Sequence, residues 1–521
     1  MRLTELSQRL DAHPVCTVVE YLGTESRTRT FAELKRDIDA LAERLRAAGV
    51  ERGMRIGILS KNCYRWIVYE LAIIELRAVT VALTDAVVTR GLVAAAEAFS
   101  LHLIVTDREL PAHPPWIVPI NEVNPVGLIR PGVPSNDDPD YEVPAWVFSS
   151  GSSGRHKAIE TCRAGVEQLV ANLPRAFALK GDDRFLVFLP LESFQQRFLI
   201  YGCLWNGLNL VITEPRFLFE ALKKHPPTIV LAPPAFFEAI AARFRNLPTH
   251  TRLLLAMLHA CRTYIPLASV RDALARMTSR RLRDALGGRV RLMITGMAPI
   301  SRATLQLFDR IGAPIYEVYG MTECGMIAWN TPAARKLGSV GKPLDDAQVR
   351  IAADGEVLVT RPVQPTSSYL FEESRDEEAS TYLGGGTIAT GDVGRFDQDG
   401  FLYLEGRKKN IIVTAGGMKL HPESIERRLN VSDQIAQSVV FTQDGRLTAL
   451  VVPRTDTPEA RERIRGFVGD VNRDLDSECS IARIIFSHPL TAEDGSLTAN
   501  LKLNRKVIEA RFESAPAVSA A

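Results

Sequence analysis

At 521 residues, with 46% hydrophobic and 24% charged side chains, the chain is too long for one core, and at least two domains are expected. Lys and Arg total 63 against 61 Asp and Glu, a formal charge of +2 with no long basic block, which argues against a nucleic-acid partner. No run of about 18 uncharged apolar residues predicts a membrane span, and Met1–Leu6 opens no apolar signal core, which points to the cytoplasm.

Residues 30–49 place Phe31, Leu34, Ile38, Leu41, Leu45 and Ala48 at helical spacing, with Gly49 as the stop, and predict an amphipathic helix. A strand at Arg55–Leu59, a helix from about 65 to 75 and a strand at Ala78–Leu83 follow. Further strands are predicted near 185–189, 208–212 and 228–232, then at Val290–Ile294 and Ile315–Tyr319. Helices alternating with apolar strands predict an α/β fold with parallel sheets. The proline-rich stretch 111–144 reads as a surface connection within a domain. Polar residues 405–410 read as a domain boundary, and Ser514–Ala521 as a disordered tail. The seven cysteines are scattered, with no CxxC, HExxH or Cys/His cluster, so neither zinc nor a disulfide framework is expected.

The most informative segment follows the apolar run Ala145–Phe148. It reads Ser149-Ser150-Gly151-Ser152-Ser153-Gly154-Arg155-His156-Lys157. Glycines let backbone N–H groups converge on an anion, hydroxyls add donors, and Lys157 supplies a point charge, a composition suited to phosphate. The spacing is not that of a Walker A loop, since Ala158 follows the lysine. Tyr319-Gly320-Met321-Thr322-Glu323 ends a strand with an aromatic ring, a hydroxyl and a carboxylate, which suit adenine, phosphate and Mg²⁺. Thr390-Gly391-Asp392 ends another apolar run, where a lone carboxylate can hold a ribose diol. Arg407 and Lys409 lie in the boundary segment, Thr414-Ala415-Gly416-Gly417 makes a glycine turn, and Lys502 follows a turn near the C-terminus. Each piece alone also fits an ordinary turn or a solvated charge.

Together and in this order, from about Thr30 to Ile508, the segments resemble the AMP-forming acyl-CoA synthetases of the adenylate-forming (ANL) superfamily. Gly406–Gly417 (GRKKNIIVTAGG) and Leu497–Ile508 (LTANLKLNRKVI) look most like the long-chain fatty acyl-CoA synthetases. The resemblance implies a large multi-subdomain N-terminal domain, residues 1–405, a hinge at 406–410, and a small mobile α+β lid, residues 411–521. It implies two steps: a carboxylate attacks the α-phosphate of MgATP, giving acyl-adenylate and pyrophosphate, and a coenzyme A thiol then displaces AMP. Ser149, Ser150, Gly151, Ser152, Ser153, Gly154 and Lys157 would hold the β,γ-phosphates. Tyr319 and Gly320 would sit at the adenine, with Gly296, Met297, Ala298 and Pro299 lining that pocket. Thr322 would touch the α-phosphate, Glu323 would bind Mg²⁺, and Asp392 and Arg407 would grip the ribose. Lys502 would bridge carboxylate and α-phosphate in the first step; Lys409 would be the hinge, and Gly416 and Gly417 would approach the pantetheine tunnel. Cations aimed at the charge that develops on phosphate lower the barrier, each preorganised donor by about 3–4 kcal/mol.

The chain departs from the family in two places. Ala158 stands where the phosphate loop usually has glycine, a source of about 1 kcal/mol of strain if that glycine uses positive φ. Where long-chain members read LPLAHVFER, this chain reads Leu189-Pro190-Leu191-Glu192-Ser193-Phe194-Gln195-Gln196-Arg197. Ser193 replaces a histidine that borders the acyl carboxylate, and Gln196 replaces a glutamate near the metal region. The acid is expected to be hydrophobic, with Ser193 and Phe194 facing it; Phe194, Phe236, Phe237 and Tyr264 could line its pocket, though ordinary core packing is the favoured reading for each. The replacements favour specialised metabolism. They also open an alternative, a ligase with weakened adenylation that transfers a supplied acyl-adenylate to coenzyme A. An acyl-AMP ligase that loads a carrier protein and a non-catalytic nucleotide- or acyl-binding protein are the other readings.

Overall fold

The computed structural model describes all residues except 110–111, 122–128, 137, 139–140, 151–155, 246–256, 258–267, 372–374, 415–416, 492, 498–502, 514, 516 and 520–521. The first long helix, Phe31–Ala47, starts on Thr30, whose hydroxyl accepts from the Glu33 amide at 3.2 Å. Glu33 Oε2 accepts in return from Thr30 N at 2.7 Å. This reciprocal box satisfies donors that a helix start otherwise leaves open. Phe31, Leu34, Ile38, Leu41 and Leu45 are buried as the spacing predicted, and Gly49 closes the turn at φ 91°. Ala48 is only half-buried, and Val50, beyond the turn, is buried after it.

Two large sheets follow from the alternation of apolar strand and helix. One has nine strands, with a parallel centre of Ile315–Met321, Leu292–Thr295, Ile229–Ala232, Arg184–Val187, Asn209–Thr213 and Thr17–Tyr21 and antiparallel strands at its edges. The other has seven, with a parallel run of Ala145–Ser150, Val79–Ala82, Arg55–Leu59, Leu103–Thr106 and, at one edge, Ile117–Pro119. Ile117–Pro119 lies in the stretch read from sequence as a bare connection; three residues beside prolines are too short to show a period. The largest core unites both sheets with the helices Phe31–Ala47, Tyr64–Glu75, Arg163–Phe177 and Phe194–Trp205. A third sheet of five antiparallel strands carries Glu356–Thr360, Thr387–Phe396 and Leu402–Arg407.

Beyond residue 411 the chain builds a four-stranded mixed sheet, Ile435–Gln443, Arg446–Pro453, Arg483–Phe486 and Val518–Ser519, with its own apolar clusters. Val518 pairs with Ile484 and Ser519 with Arg483, inside the tail predicted to be disordered. An open sheet edge accepts even two residues as a strand, which composition does not reveal. No described helix is long and apolar enough to cross a membrane.

Thr30→Ala removes half of the capping box and is expected to cost about 1 kcal/mol, read as a lower urea midpoint, whereas Thr30→Ser stays close to the parent.

Candidate active site

The strand Ile315–Met321 turns back onto Gly325–Trp329 through Thr322, Glu323 and Cys324, and this hairpin walls a cleft of about 3230 Å³. Gly320 permits the close approach, since a Cβ there would lie 2.4 Å from the Gly325 carbonyl oxygen. Tyr319 lines the cleft and donates its hydroxyl to Asp392 Oδ2 at 2.6 Å. Burial, with the Asp392 carboxylate, holds the phenol well above its usual range, so it stays a donor. Asp392 Oδ1 pairs with Arg407 Nε at 2.8 Å, and Arg407 Nη1 donates to the Thr390 carbonyl at 3.1 Å. Gly296, Met297, Ala298 and Pro299 follow the Leu292–Thr295 strand and line the same cleft. Met297 adopts φ 72°, a conformation that costs a non-glycine residue about 1–2 kcal/mol.

Asp392 and Arg407, the pair expected at the ribose, sit differently in the fold from their sequence reading. Asp392 lies within the strand Thr387–Phe396, not at its end, and Arg407 is the last residue of the strand Leu402–Arg407, not part of a linker. The two residues are direct partners in that antiparallel pair. Gly391, at φ 68°, kinks the strand without ending it.

Lys157 lies on the strand His156–Thr161, opposite Ser149 on Ala145–Ser150, and both residues line the cleft. Ser149 and Ser150 are therefore strand residues of a hairpin, whose tip, with Gly151, Ser152, Ser153 and Gly154, lies outside the described residues. Ala158 pairs with Phe148 in extended, buried strand, so the strain considered for that position does not arise. Lys157 is 8% exposed; its Nζ stands 4.6 Å from the Tyr369 ring centroid and 2.8 Å from Glu377 Oε1. The Tyr369 hydroxyl donates to Glu323 Oε1 at 2.9 Å. One tyrosine thus holds the cation on its face and the carboxylate on its hydroxyl. The turn itself is clamped from behind. Thr366 Oγ1 donates to the Glu323 carbonyl, and the buried Arg361 donates to the carbonyls of Cys324, at 2.6 Å, and Met326. Burial pushes the Cys324 thiol up to about 12, so it is a small core residue.

Glu323, a hard oxygen donor beside Lys157 and Thr322 in the cleft wall, fits Mg²⁺ that also takes phosphate oxygens. Among the described residues no group of three or more His, Cys, Asp or Glu is placed to hold a metal ion.

Ser193 and Phe194, expected from sequence to face the acid, line the cleft at the start of the helix Phe194–Trp205. Gln196, read from sequence as near the metal region, is not among the residues that line the cleft. It is 2% exposed, outside the cleft wall, with Nε2 unpartnered, because the helical period turns it into the core. Asn62 fixes the loop before this helix: Nδ2 donates to the Leu189 and Thr213 carbonyls at 2.9 and 3.0 Å, and Oδ1 accepts from Leu191 N at 2.9 Å. Phe236 and Phe237 pack into the core beside Phe188 and Phe308, and Tyr264 lies outside the described residues. Glu192 and Glu317 also line the cleft, and burial pushes both carboxyls up, Glu317 to about 8.

Lys409, on the single turn Lys408–Asn410, lines the cleft. Burial and the nearby Arg407, Lys157 and Lys506 hold its ammonium below the usual range, against the pull of Glu377. Gly417 takes φ 82° between the short strands Ile412–Val413 and Lys419–Leu420; Gly416 and Lys502 lie outside the described residues. Sequence reading missed Asn62, Glu317, Arg361, Tyr369 and Glu377, none of which stands in a motif.

Two outcomes are expected. Arg361→Met strips the Cys324 and Met326 carbonyls of their donor and should cost about 3 kcal/mol in urea unfolding. Glu317 holds a proton in the folded state up to about pH 8, whereas its ordinary value is 4.5. Its contribution to stability is full below the lower value and is lost as pH rises through the upper one. Glu317→Gln should therefore flatten the fall in Tm over that window; an unchanged slope would refute the assignment.

The sequence profile of the family described as AMP-binding enzyme matches residues 6–364. Long-chain-fatty-acid–CoA ligase FadD15 of Mycobacterium bovis is 29% identical over 554 aligned residues, covering 93% of this chain and 91% of that one. A 2-succinylbenzoate–CoA ligase of Bacillus cereus is 24% identical, covering 84% of each. Among solved structures, o-succinylbenzoate CoA synthetase (MenE) of Bacillus subtilis, in complex with the acyl-adenylate OSB-AMP, superposes with a TM-score of 0.73 at 20% identity, over 97% of this chain and 98% of that one. ATP-bound MatB of Rhodopseudomonas palustris gives 0.75 at 19% identity over 99% of each. The family match covers well over half of the chain and contains Lys157, Tyr319 and Glu323, and the chain belongs to the AMP-binding enzymes of the adenylate-forming (ANL) superfamily as an AMP-forming acid–thiol ligase.

Proposed function

We propose that this ligase converts a hydrophobic carboxylic acid to its coenzyme A thioester, in specialised metabolism, through an acyl-adenylate. The observation that carries the reading is the single cleft wall on which Tyr369 joins Lys157 to Glu323 and Tyr319 joins the hairpin to Asp392 and Arg407. Tyr319 takes the adenine face, and Asp392 with Arg407 takes the ribose hydroxyls. Lys157 and the hairpin tip hold the β,γ-phosphates, and Thr322 touches the α-phosphate. Mg²⁺ on Glu323 would screen the phosphate charges. In the first step a carboxylate oxygen bonds to the α-phosphorus and pyrophosphate leaves with the bridging electron pair. Lys502 bridges the attacking carboxylate and that phosphate. In the second, the thiolate bonds to the acyl carbon and AMP leaves. Lys409 is the hinge between residues 1–405 and 411–521, and Gly416 and Gly417 border the thiol's path. Moving Lys502 away after the first step would clear the site for the thiol.

Ser193 at the acyl end supports a second reading, in which adenylation is weak and a supplied acyl-adenylate is the working substrate. One experiment separates the readings: purified protein with MgATP, coenzyme A and a panel of hydrophobic acids, with acyl-AMP and acyl-CoA followed by mass spectrometry. Acyl-CoA from a free acid is the expected result. Acyl-CoA only from ready-made adenylates would establish the second reading, transfer only to a carrier protein would make it a carrier-loading ligase, and ligand binding without turnover would make it non-catalytic. Lys157→Ala should slow acyl-AMP formation about 10²–10³-fold while leaving acyl-CoA formation from supplied adenylate within a few-fold.

A further inference from the structure

Glu377 lies on the short helix Arg375–Thr381, which packs against the strands Thr366–Tyr369 and Thr387–Phe396 and overlooks the cleft. Its carboxylate meets Lys157 Nζ at 2.8 Å, on a lysine otherwise covered by the Tyr369 ring. Of the charged groups around this place Lys409, Arg407 and Lys506 are cationic, the Glu323 carboxylate is held by the Tyr369 hydroxyl, and Glu377 is the carboxylate in direct contact with Lys157. Tyr369 has committed its hydroxyl to Glu323, so it offers Lys157 only its ring face. A nearly buried ammonium without a counter-charge is costly, and Glu377 removes that cost while no phosphate is bound. The carboxylate is itself 42% exposed, so it can leave the cation for water at little expense.

We propose that Glu377 is a positioning residue that occupies the anion place at Lys157 and exchanges with the β,γ-phosphates of the nucleotide. The inference rests on the reading of Lys157 as the β,γ-phosphate ligand. Triphosphate binding breaks the Lys157–Glu377 pair, and departure of pyrophosphate remakes it, so the carboxylate competes for the cation as pyrophosphate leaves. AMP has no β,γ-phosphates and does not enter this exchange. The residue therefore sets the balance between nucleotide triphosphate and monophosphate, and the ease of pyrophosphate release, without touching the reacting atoms.

The test is calorimetric titration of the full-length protein and its Glu377→Gln variant with MgATP, magnesium pyrophosphate and AMP, with thermal unfolding to establish that the variant is folded. Loss of the competing charge should tighten MgATP and pyrophosphate about tenfold, the scale of one charge-assisted hydrogen bond, and leave AMP within about twofold. A second variant, Glu377→Asp, keeps the charge on a shorter arm and should restore part of the discrimination. Equal affinities in parent and Glu377→Gln, or weaker MgATP binding in the variant, would overturn the proposal; the latter would make Glu377 a ligand of the bound metal. Parent protein that binds AMP but neither MgATP nor pyrophosphate would overturn it by another route, through the assignment of Lys157. Parent protein that binds no nucleotide at all would remove the functional reading itself, and the inference with it.

Discussion

Three sheets meet behind one turn, and the buried guanidinium of Arg361 and the hydroxyl of Thr366 join them there. The residue directly follows the strand Glu356–Thr360 of the five-stranded sheet, and its donors reach carbonyls on either side of Gly325 in the nine-stranded sheet. Thr366, on the edge strand of the seven-stranded sheet, reaches the carbonyl of Glu323 in the same turn. Hydrogen bonds to a charged donor are about twice as strong as neutral ones, and leaving their acceptors buried without a partner carries a large penalty. The backbone of the Glu323 turn is therefore fixed by contacts on its far side, while its carboxylate is held by the Tyr369 hydroxyl at the cleft. The cleft inherits its shape from the way the sheets are tied together.

The same economy governs the polar groups that face the cleft. Four of the charged candidates already have partners within the protein: Glu323 has Tyr369, Asp392 has Tyr319 and Arg407, and Lys157 has Tyr369 and Glu377. Partnered groups keep fixed directions, which is what preorganised stabilisation of developing charge requires. Hydroxyls and ring faces serve as the spacers. Tyr319 and Tyr369 are both held protonated by burial, so they remain donors across the physiological range.

Much of this was legible where the sequence carries a period or a fixed spacing. The helix Phe31–Ala47 and the strand Arg55–Leu59 follow from the placement of apolar residues, and Lys157, Tyr319, Glu323 and Asp392 stand in short motifs whose residue types match the chemistry. What stayed hidden depends on register between distant segments. Tyr369 reaches Lys157 only because Thr366–Tyr369 adds to the edge of His156–Thr161, a pairing that no local pattern announces. Glu377 sits in a run of acidic residues that reads as solvated surface until that edge is in place. Gln196 shows the converse case, a motif position that the helix takes out of the cleft wall. The motif drew attention to it, but one helical turn past Ser193 the side chain points into the core.

The anchoring of Arg407 has a consequence for how the chain beyond it can move. Arg407 is bound to Asp392, and Lys408 Nζ reaches Asp354 and Glu356 at 2.7 Å each, so both residues are fastened to the five-stranded sheet. The backbone past these two fixings begins at Lys409. A rotation of everything downstream would then be a torsional change at one or two residues, with an axle seated in the sheet that also carries Asp392. If the proposed hinge turns there, an axle so placed would leave the Asp392–Arg407 pair behind. A bound nucleoside could be held by the same residues before and after such a rotation, as a workpiece stays in its vice while the tool is changed.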